Sequence, residues 1–488
     1  MTAIIVIVGL AGLVWGAWLL VRGGLLAGAL MVLLAGTCFG FPFFSLPAGP
    51  APLTADRFLW AMLMAMYAVY RARGWAEGRP MGKTEWLLAA FLGVLFVSTF
   101  AHDWHAHRNQ PAAWLLFFYL MPAGMYWVAR QTPLTETASR AMFACLAAFG
   151  LYLACTAIAE ARQLWWLVYP RYIASREYVE FFGRGRGPLL NPAGCGFFLS
   201  VCWSGLLMSW PRLGRGGRAM LVALSVVYAL GVYSTLTRCA WIGAALGLAI
   251  VVGLAAPRTW RVPLFAGACL AAMLVGATQW ERFMAFERDK GLSAHEAAES
   301  VKLRPILAMV AWKMFCDRPL LGCGFGQYRD EFIYVLADRS SDLPLEKARR
   351  YVQHNVFLAL LAETGLVGMA LFIALLCGWT KDAWRLWRSG SSPLWARQQG
   401  LLFMALIGSY LTNAMFHDLS IIPMVNMALF FLAGLTTGLA SQERAEAAPS
   451  PVESAPLPRR SLRYAVQPHS ETENTQGTFL PVRNRGHF

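Results

Sequence analysis

Runs of about twenty apolar residues, nearly free of charge, recur along this chain and limit its fold more than any other feature. A helix that crosses the hydrocarbon core of a bilayer needs about 20 such residues, and within lipid only helices and closed barrels satisfy every backbone donor and acceptor. Thirteen candidate spans follow: 3–21, 24–43, 55–71, 84–100, 112–129, 141–159, 190–210, 219–236, 239–256, 262–279, 356–378, 400–416 and 419–440. The first two are separated only by Val21 to Gly24. The expected fold class is all-α: a polytopic integral membrane protein of about 12–13 transmembrane helices with one large, partly helical outer loop. Only 14% of the residues are charged and 57% are hydrophobic, whereas a soluble domain carries roughly 25% charged residues. A soluble globular enzyme is thereby excluded.

The formal net charge is +15, yet no nucleic-acid partner is expected, because the basic residues sit in short connections between apolar runs, as the positive-inside rule requires. Arg71, Arg73, Arg79 and Lys83 share one connection, Arg212, Arg215 and Arg218 another, and Lys381, Arg385, Arg388 and Arg397 a third. Those loops are assigned to the cytoplasm. Alternation then puts 44–54, 101–111, 160–189, the turn at Thr237–Arg238 and the long segment 280–355 outside, and an odd number of spans puts the N-terminus there too. The first run lacks a basic leader segment and a small-residue cleavage site, so it reads as a retained span. Most of the ten cysteines lie within apolar runs; Cys316 and Cys323 fall in the outer loop, where a disulfide between them is an open alternative.

A membrane domain is expected over 1–440, with no internal repeat of fixed period. Within it, 160–189 mixes Trp, Tyr and Arg in the manner of an interfacial segment. The segment 280–355 holds 12 basic and 11 acidic residues and reads as the one soluble-looking subdomain, with a helical stretch at 293–316 before a glycine-rich turn, LGCGFG. The tail 441–488 is rich in Pro, Ser, Glu, Arg and Asn and is expected to be a disordered cytoplasmic segment.

Ionisable groups at membrane ends are costly to bury and are functional candidates for that reason, although Arg also snorkels to headgroups. Three outer features stand out. In GRGRGPLLNPAG, Arg184 and Arg186 stand among glycines just before a span that opens near Asn191–Pro192; two guanidiniums beside a helix N-terminus suit an anion, while a basic loop on anionic lipid is the plainer reading. In STLTRCAW, Arg238 is the only charge between Ala219 and Ala256 and is flanked by Ser234, Thr235 and Thr237. In QHNVFLALLAETGLVG, His354 begins a span and Glu363 lies about two and a half turns further in. An imidazole with a pKa near 6.5 suits proton abstraction near neutrality; Glu363 has a choice between an Arg partner and capping a broken helix at Gly365. A fourth cluster, AHDWHAH, offers His102, Asp103, His105 and His107 without the spacing of a metal signature, and reads as interface.

Taken in order, these motifs resemble the O-antigen ligase and polymerase superfamily of bacterial surface-glycan enzymes, which includes protein O-oligosaccharyltransferases. An Arg-x-x-Gly-x-x-x-Asn-Pro stretch is present as Arg184, Gly187, Asn191 and Pro192; a Thr-Arg followed by Trp and Gly as Thr237, Arg238, Trp241 and Gly243. An outer loop with Arg304 and Trp312 and a PLLGCGFG turn at 319–326 comes next, and His354, Asn355, Leu358, Glu363 and Gly365 close the series. The resemblance covers about 180–376 by motif. The chain departs from the pattern at Arg186, an extra basic residue, at Ala193 and at Cys323.

The resemblance implies transfer of a glycan from a polyprenyl (undecaprenyl) diphosphate donor to an acceptor hydroxyl at the outer, periplasmic face of the bacterial inner membrane. In that reading Arg184, Arg186 and Arg238 bind the diphosphate, His354 is the base, Arg238 joins it in catalysis, and Asn191, Arg304, Asn355 and Glu363 support the site. Inversion at the anomeric carbon is expected, with no metal and no cofactor. The partners implied are the lipid-linked glycan, membrane lipid, and an acceptor that is lipid A-core, another glycan or a protein. A ligase is preferred over a polymerase of lipid-linked repeat units or a protein transferase; a transporter of anions or lipid-linked sugars is the alternative of a different class.

Overall fold

A chain that cannot leave backbone groups bare in lipid folds as helices, and the computed structural model is built almost wholly of them. It describes residues 22–46, 52–76, 78–103, 110–263, 266, 267, 270, 273, 294–337, 343–351 and 353–447. The helices, in order, are α1 (Arg22–Cys38), α2 (Ala55–Ala72), α3 (Lys83–Phe100), α4 (Pro111–Gln131, with a π-helical turn at Leu116–Leu120), α5 (Glu136–Ala161), α6 (Pro192–Leu207) and α7 (Arg215–Ser234). After these come α8 (Arg238–Ala255), α9 (Ala294–Asp317), α10 (Tyr328–Leu336), α11 (Val356–Arg388), α12 (Leu394–Phe416) and α13 (Pro423–Ala447). Between α1 and α2, β1 (Ser45–Leu46) and β2 (Leu53–Thr54) form a two-residue antiparallel pair.

Among the described residues nine helices are long and apolar enough to cross a membrane: α3 to α8 and α11 to α13. The chain is thus an all-α, multi-pass membrane protein. Of the thirteen expected spans, 3–21 lies outside the described residues, and so does most of 262–279. The other two are present as helices but are weaker spans: α1 is short, and α2 carries Asp56, Arg57 and Arg71. Most of the expected tail, 448–488, is also outside the described residues.

Small residues let the spans approach closely, as expected where lipid supplies no hydrophobic drive between helices. A Cβ on Gly243 of α8 would stand 2.4 Å from Asn413 Nδ2 and 3.2 Å from Ser409 O, and one on Gly247 would stand 3.3 Å from Ala405 O and 3.0 Å from Ser200 Oγ. As α8 advances from 243 to 247, α12 recedes from 413 to 405, so the two run antiparallel. Gly196 of α6 meets Ala240, and Ser200 meets Gly247, so α6 and α8 run parallel. These directions bring the starts of α6 and α8 to the end of α12. Away from that end, Glu85 accepts from Arg130 Nε (2.7 Å) and Tyr126 OH (2.6 Å), while Arg130 Nη2 donates to Pro80 O (2.6 Å).

One helix is interrupted. Gly365 of α11 has φ 62° and ψ −160°, and the glycine-rich turn 319–326 crosses there. Cys323 N donates to Ala362 O (2.9 Å), Gly324 N to Glu363 O (2.9 Å), Leu366 N to Pro319 O (2.8 Å) and Val367 N to Leu320 O (3.2 Å). The groups freed by the break are therefore satisfied by a second backbone, the condition under which non-helical chain is tolerated at such a place. Both glycines at the crossing are required sterically: a Cβ on Gly322 would stand 2.4 Å from Glu363 C, and one on Gly365 2.4 Å from Leu320 C. The expected helical stretch 293–316 is α9. Its Ile306, Leu307, Val310 and Met314 pack with Tyr328, Phe332 and Val335 of α10 and with Ala362 of α11 in a second hydrophobic cluster.

Candidate functional site

Three helix beginnings meet the end of α12, and the sequence explains each. Asn191 caps α6, its Oδ1 accepting from Ala193 N and Gly194 N (3.0 Å each), with Pro192 at the first helical position, where its missing N–H costs nothing. Asn355 caps α11 in the same way, accepting from Phe357 N (2.8 Å) and Leu358 N (3.0 Å). Each cap turns its remaining donor to the end of α12: Asn191 Nδ2 lies 3.1 Å from His417 Nε2, and Asn355 Nδ2 donates to Met415 O (3.0 Å). Arg238 opens α8, which the antiparallel packing directs to the same end of α12.

The charged side chains follow from these positions. Arg304 of α9 places its guanidinium 5.8 Å from the centre of the Phe416 ring. Its charge acts on Arg238, His354 and His417 alike. The His354 and His417 rings are parallel within 6° with centroids 6.0 Å apart. Burial, followed by the charge of Arg304, lowers the His354 pKa below its usual 6.5. Burial, His354 and Arg304 together bring His417 to about 4. Asp418, the next residue, moves the other way: burial raises it to about 6 against the hydrogen bonds from Ser420. The site can therefore hold two neutral imidazoles beside two guanidiniums at neutral pH. The positive ends of three helix dipoles add to the same field.

The structure brings together Asn191, Arg238, Arg304, His354 and Asn355. It corrects the expectation for Arg186. That side chain is fully buried, with Nη1 donating to Tyr178 O and Glu180 O (2.7 Å), Nη2 to Ile173 O (2.9 Å), and Nε 3.4 Å from Glu160 Oε1. With Nη1 and Nη2 donating to backbone carbonyls and the whole side chain buried, Arg186 fastens the 171–187 loop and does not present its guanidinium at the surface of the site. Glu160 completes the fastening by accepting from Gly187 N (2.7 Å). Arg184 is buried as well, 5.2 Å above the Phe181 ring, and the next residue ties this loop to α7 through Gly185 N to Ser234 O (2.8 Å). Arg184 thus stands beside the turn that carries Arg238.

Glu363 takes neither of its two expected forms alone. Its carboxylate accepts from Tyr328 N (3.4 Å) and its carbonyl from Gly324 N, so it ties α11 to the glycine-rich turn and α10. Of the AHDWHAH cluster, His105 and His107 lie outside the described residues. His102 bonds Ser98 O through Nδ1 (2.9 Å) and its ring covers Gly324, a packing role. Cys316 and Cys323 are both free thiols.

Sequence reasoning passed over Glu160, His417 and Asp418. A signal for the last two was present in MFHDLS, where a His-Asp pair interrupts two apolar runs. Glu160 had a weaker one, as a lone acid at the end of a long apolar span.

With this geometry in view, comparison with protein families matches residues 196–373 to the family described as O-Antigen ligase. This is the superfamily that the motifs resemble, and the matched stretch contains Arg238, Arg304, His354, Asn355 and Glu363. Among curated proteins none matches the chain.

Proposed function

We propose that the chain is an O-antigen ligase-like glycosyltransferase acting at the periplasmic face of the bacterial inner membrane. The observation that carries the reading is the convergence of Arg238, Arg304 and His354 on the ends of α6, α8, α11 and α12. The donor is a glycan on polyprenyl (undecaprenyl) diphosphate. An acceptor hydroxyl attacks the anomeric carbon as the bond from that carbon to the diphosphate oxygen breaks, and His354 takes the hydroxyl proton. Direct displacement inverts the anomeric carbon. The leaving diphosphate keeps the bonding electrons and gathers negative charge, which preorganised cations and helix N-termini stabilise without reorganising. Arg238 and Arg304 supply that stabilisation, Arg184 joins them from the neighbouring loop, and Arg186 and Glu160 hold the loop in place. The reaction as written needs no metal. The basic loops at the opposite ends of the spans support the periplasmic orientation through the positive-inside rule.

A ligase that delivers a finished glycan to lipid A-core is preferred. A polymerase of repeat units or a protein O-oligosaccharyltransferase would use the same side chains with a different acceptor. Transport of lipid-linked sugars has one point in its favour, the helix break at Gly365, since transporters bind substrate at such breaks. Here the amides and carbonyls freed by the break are occupied by residues 319–324, which weighs against a ligand there.

The test is a deletion strain complemented with wild type or His354→Ala, with surface glycans separated by size and by attachment. Loss of transfer with the variant present in the membrane is expected. Full-length glycan left on the carrier with a bare acceptor supports a ligase or protein transferase, and single repeat units on the normal acceptor support a polymerase. An unchanged profile would refute the assignment.

A further inference from the structure

His417 belongs to none of the motifs, yet its hydrogen bonding defines its chemical form. Both lone-pair directions of Asn191 Oδ1 are used by the amides of Ala193 and Gly194. That fixes the orientation of the side-chain amide, so the group 3.1 Å from His417 Nε2 is the NH2 donor. A ring nitrogen facing a donor must be the acceptor, and a neutral imidazole that accepts at Nε2 carries its proton on Nδ1. Among the described residues Nδ1 has no hydrogen-bond partner. The charged and titratable groups acting on the ring are Arg304 and His354, and with burial they keep it neutral. His417 therefore cannot serve as a base through Nε2, but it can donate through Nδ1.

We propose that His417 contacts substrate directly, donating a hydrogen bond from Nδ1–H to an anionic oxygen of the diphosphate while His354 receives the acceptor proton. The proposal rests on the transferase reading above. An anionic partner is favoured over a sugar hydroxyl because Arg304 and the starts of α6 and α11 adjoin the same ring, and such a setting attracts negative charge. A neutral donor suits this place: a further cation there would be opposed by Arg304. Asn191 is then a positioning residue, which sets the tautomer through the bond that also fastens α6 to the end of α12.

The test uses the full chain purified in detergent with 15N-labelled histidine, the His417 signals being assigned by their loss in His417→Gln. At pH 7 Nε2 should resonate as an unprotonated nitrogen and Nδ1 as a protonated one, and inorganic diphosphate should shift Nδ1. The reverse tautomer, or no shift, overturns the proposal. Transfer from a polyprenyl diphosphate-linked glycan provides the second arm. The amide nitrogen of Asn overlays Nδ1 and that of Gln overlays Nε2, so His417→Asn should lose less than about 10-fold in kcat/KM while His417→Gln and His417→Ala lose about 100-fold, the usual cost of one oxyanion donor. Equal losses for Asn and Gln, with unchanged melting, would also overturn it. An Nδ1 response to diphosphate in a protein that transfers no glycan would keep the anion contact and refute the transferase reading; transfer without that response would refute only the role of His417.

Discussion

Replacing Gly365 by Ala tests the idea that the crossing of α11 by residues 319–326 holds the site together. The residue has φ 62° and ψ −160°, a region open essentially to glycine alone and costing other residues about 1–3 kcal/mol. Its Cβ would also stand 2.4 Å from both C and O of Leu320, atoms of a backbone that cannot rotate away. The turn must then move, and four inter-segment hydrogen bonds depend on its place. At about 0.5–1.5 kcal/mol for each bond, their loss together with the strain amounts to at least about 3 kcal/mol. Melting of the detergent-purified variant should fall accordingly, and transfer should fall with it, because His354 leads into the part of α11 that the crossing orients. Gly253→Ala is the control. Gly253 lies within α8 with an ordinary helical φ, and a Cβ added there would meet nothing within 4 Å, so Ala should be neutral or stabilise by roughly 0.5–1 kcal/mol. A Gly365→Ala protein that melts with wild type would refute the reasoning.

Other consequences follow from the same geometry. Arg238→Lys keeps the charge but loses the planar fork, so kcat/KM should drop far more than charge conservation implies; equal activity would reduce Arg238 to a point charge. Because burial and Arg304 lower the His354 pKa, kcat/KM under the proposed mechanism should fall on the acid side at a lower pH than an ordinary imidazole would give, as His354 gains its proton. Arg304→Gln removes a nearby positive charge and should move that acid limb upward; an unmoved limb would remove the coupling. Arg186→Leu leaves the buried Glu160 carboxylate without its cation and should cost about 3–5 kcal/mol. Adding Glu160→Gln should recover part of this in a melting experiment, and an additive loss would deny that the two act as a pair.

Spans were legible because the bilayer rewards one local property, an unbroken apolar run, and helix is then obligatory. Their limits were less so. The run ending near Gly378 was expected to end its helix, but α11 continues to Arg388, with Asp382 buried and held by Arg444 Nη1 at 2.8 Å. The partner comes from α13, more than sixty residues on, and no local pattern announces it. The caps Asn191 and Asn355 were readable for the opposite reason, since an Asn before a span states its hydrogen bonds within three residues. Arg186 was misread because its direction is decided by Glu160 on α5, and His417 was passed over because a two-residue His-Asp break between spans carries no period.

The carboxylates around the site explain how the chain sustains positive charge where burial makes charge expensive. Glu160 accepts from Gly187 N and faces Arg186, Glu363 accepts from Tyr328 N, and Asp418 accepts from Ser420 N (3.1 Å) and Ser420 Oγ. Each is thereby given to a loop or turn that shapes the site. Three acids are used to fasten the segments that carry Arg184, the glycine-rich turn and the end of α12, while Arg304 is left beside two imidazoles that burial keeps neutral. Such an arrangement is poorly matched to a neutral sugar, which supplies no charge, and well matched to a diphosphate. In the proposed mechanism it also accounts for why histidine and not a carboxylate would be the base: a carboxylate placed beside Arg304 and Arg238 would pair with them, weakening both the proposed anion site and its own basicity, whereas an imidazole accepts a proton without first cancelling the field proposed to stabilise the leaving group.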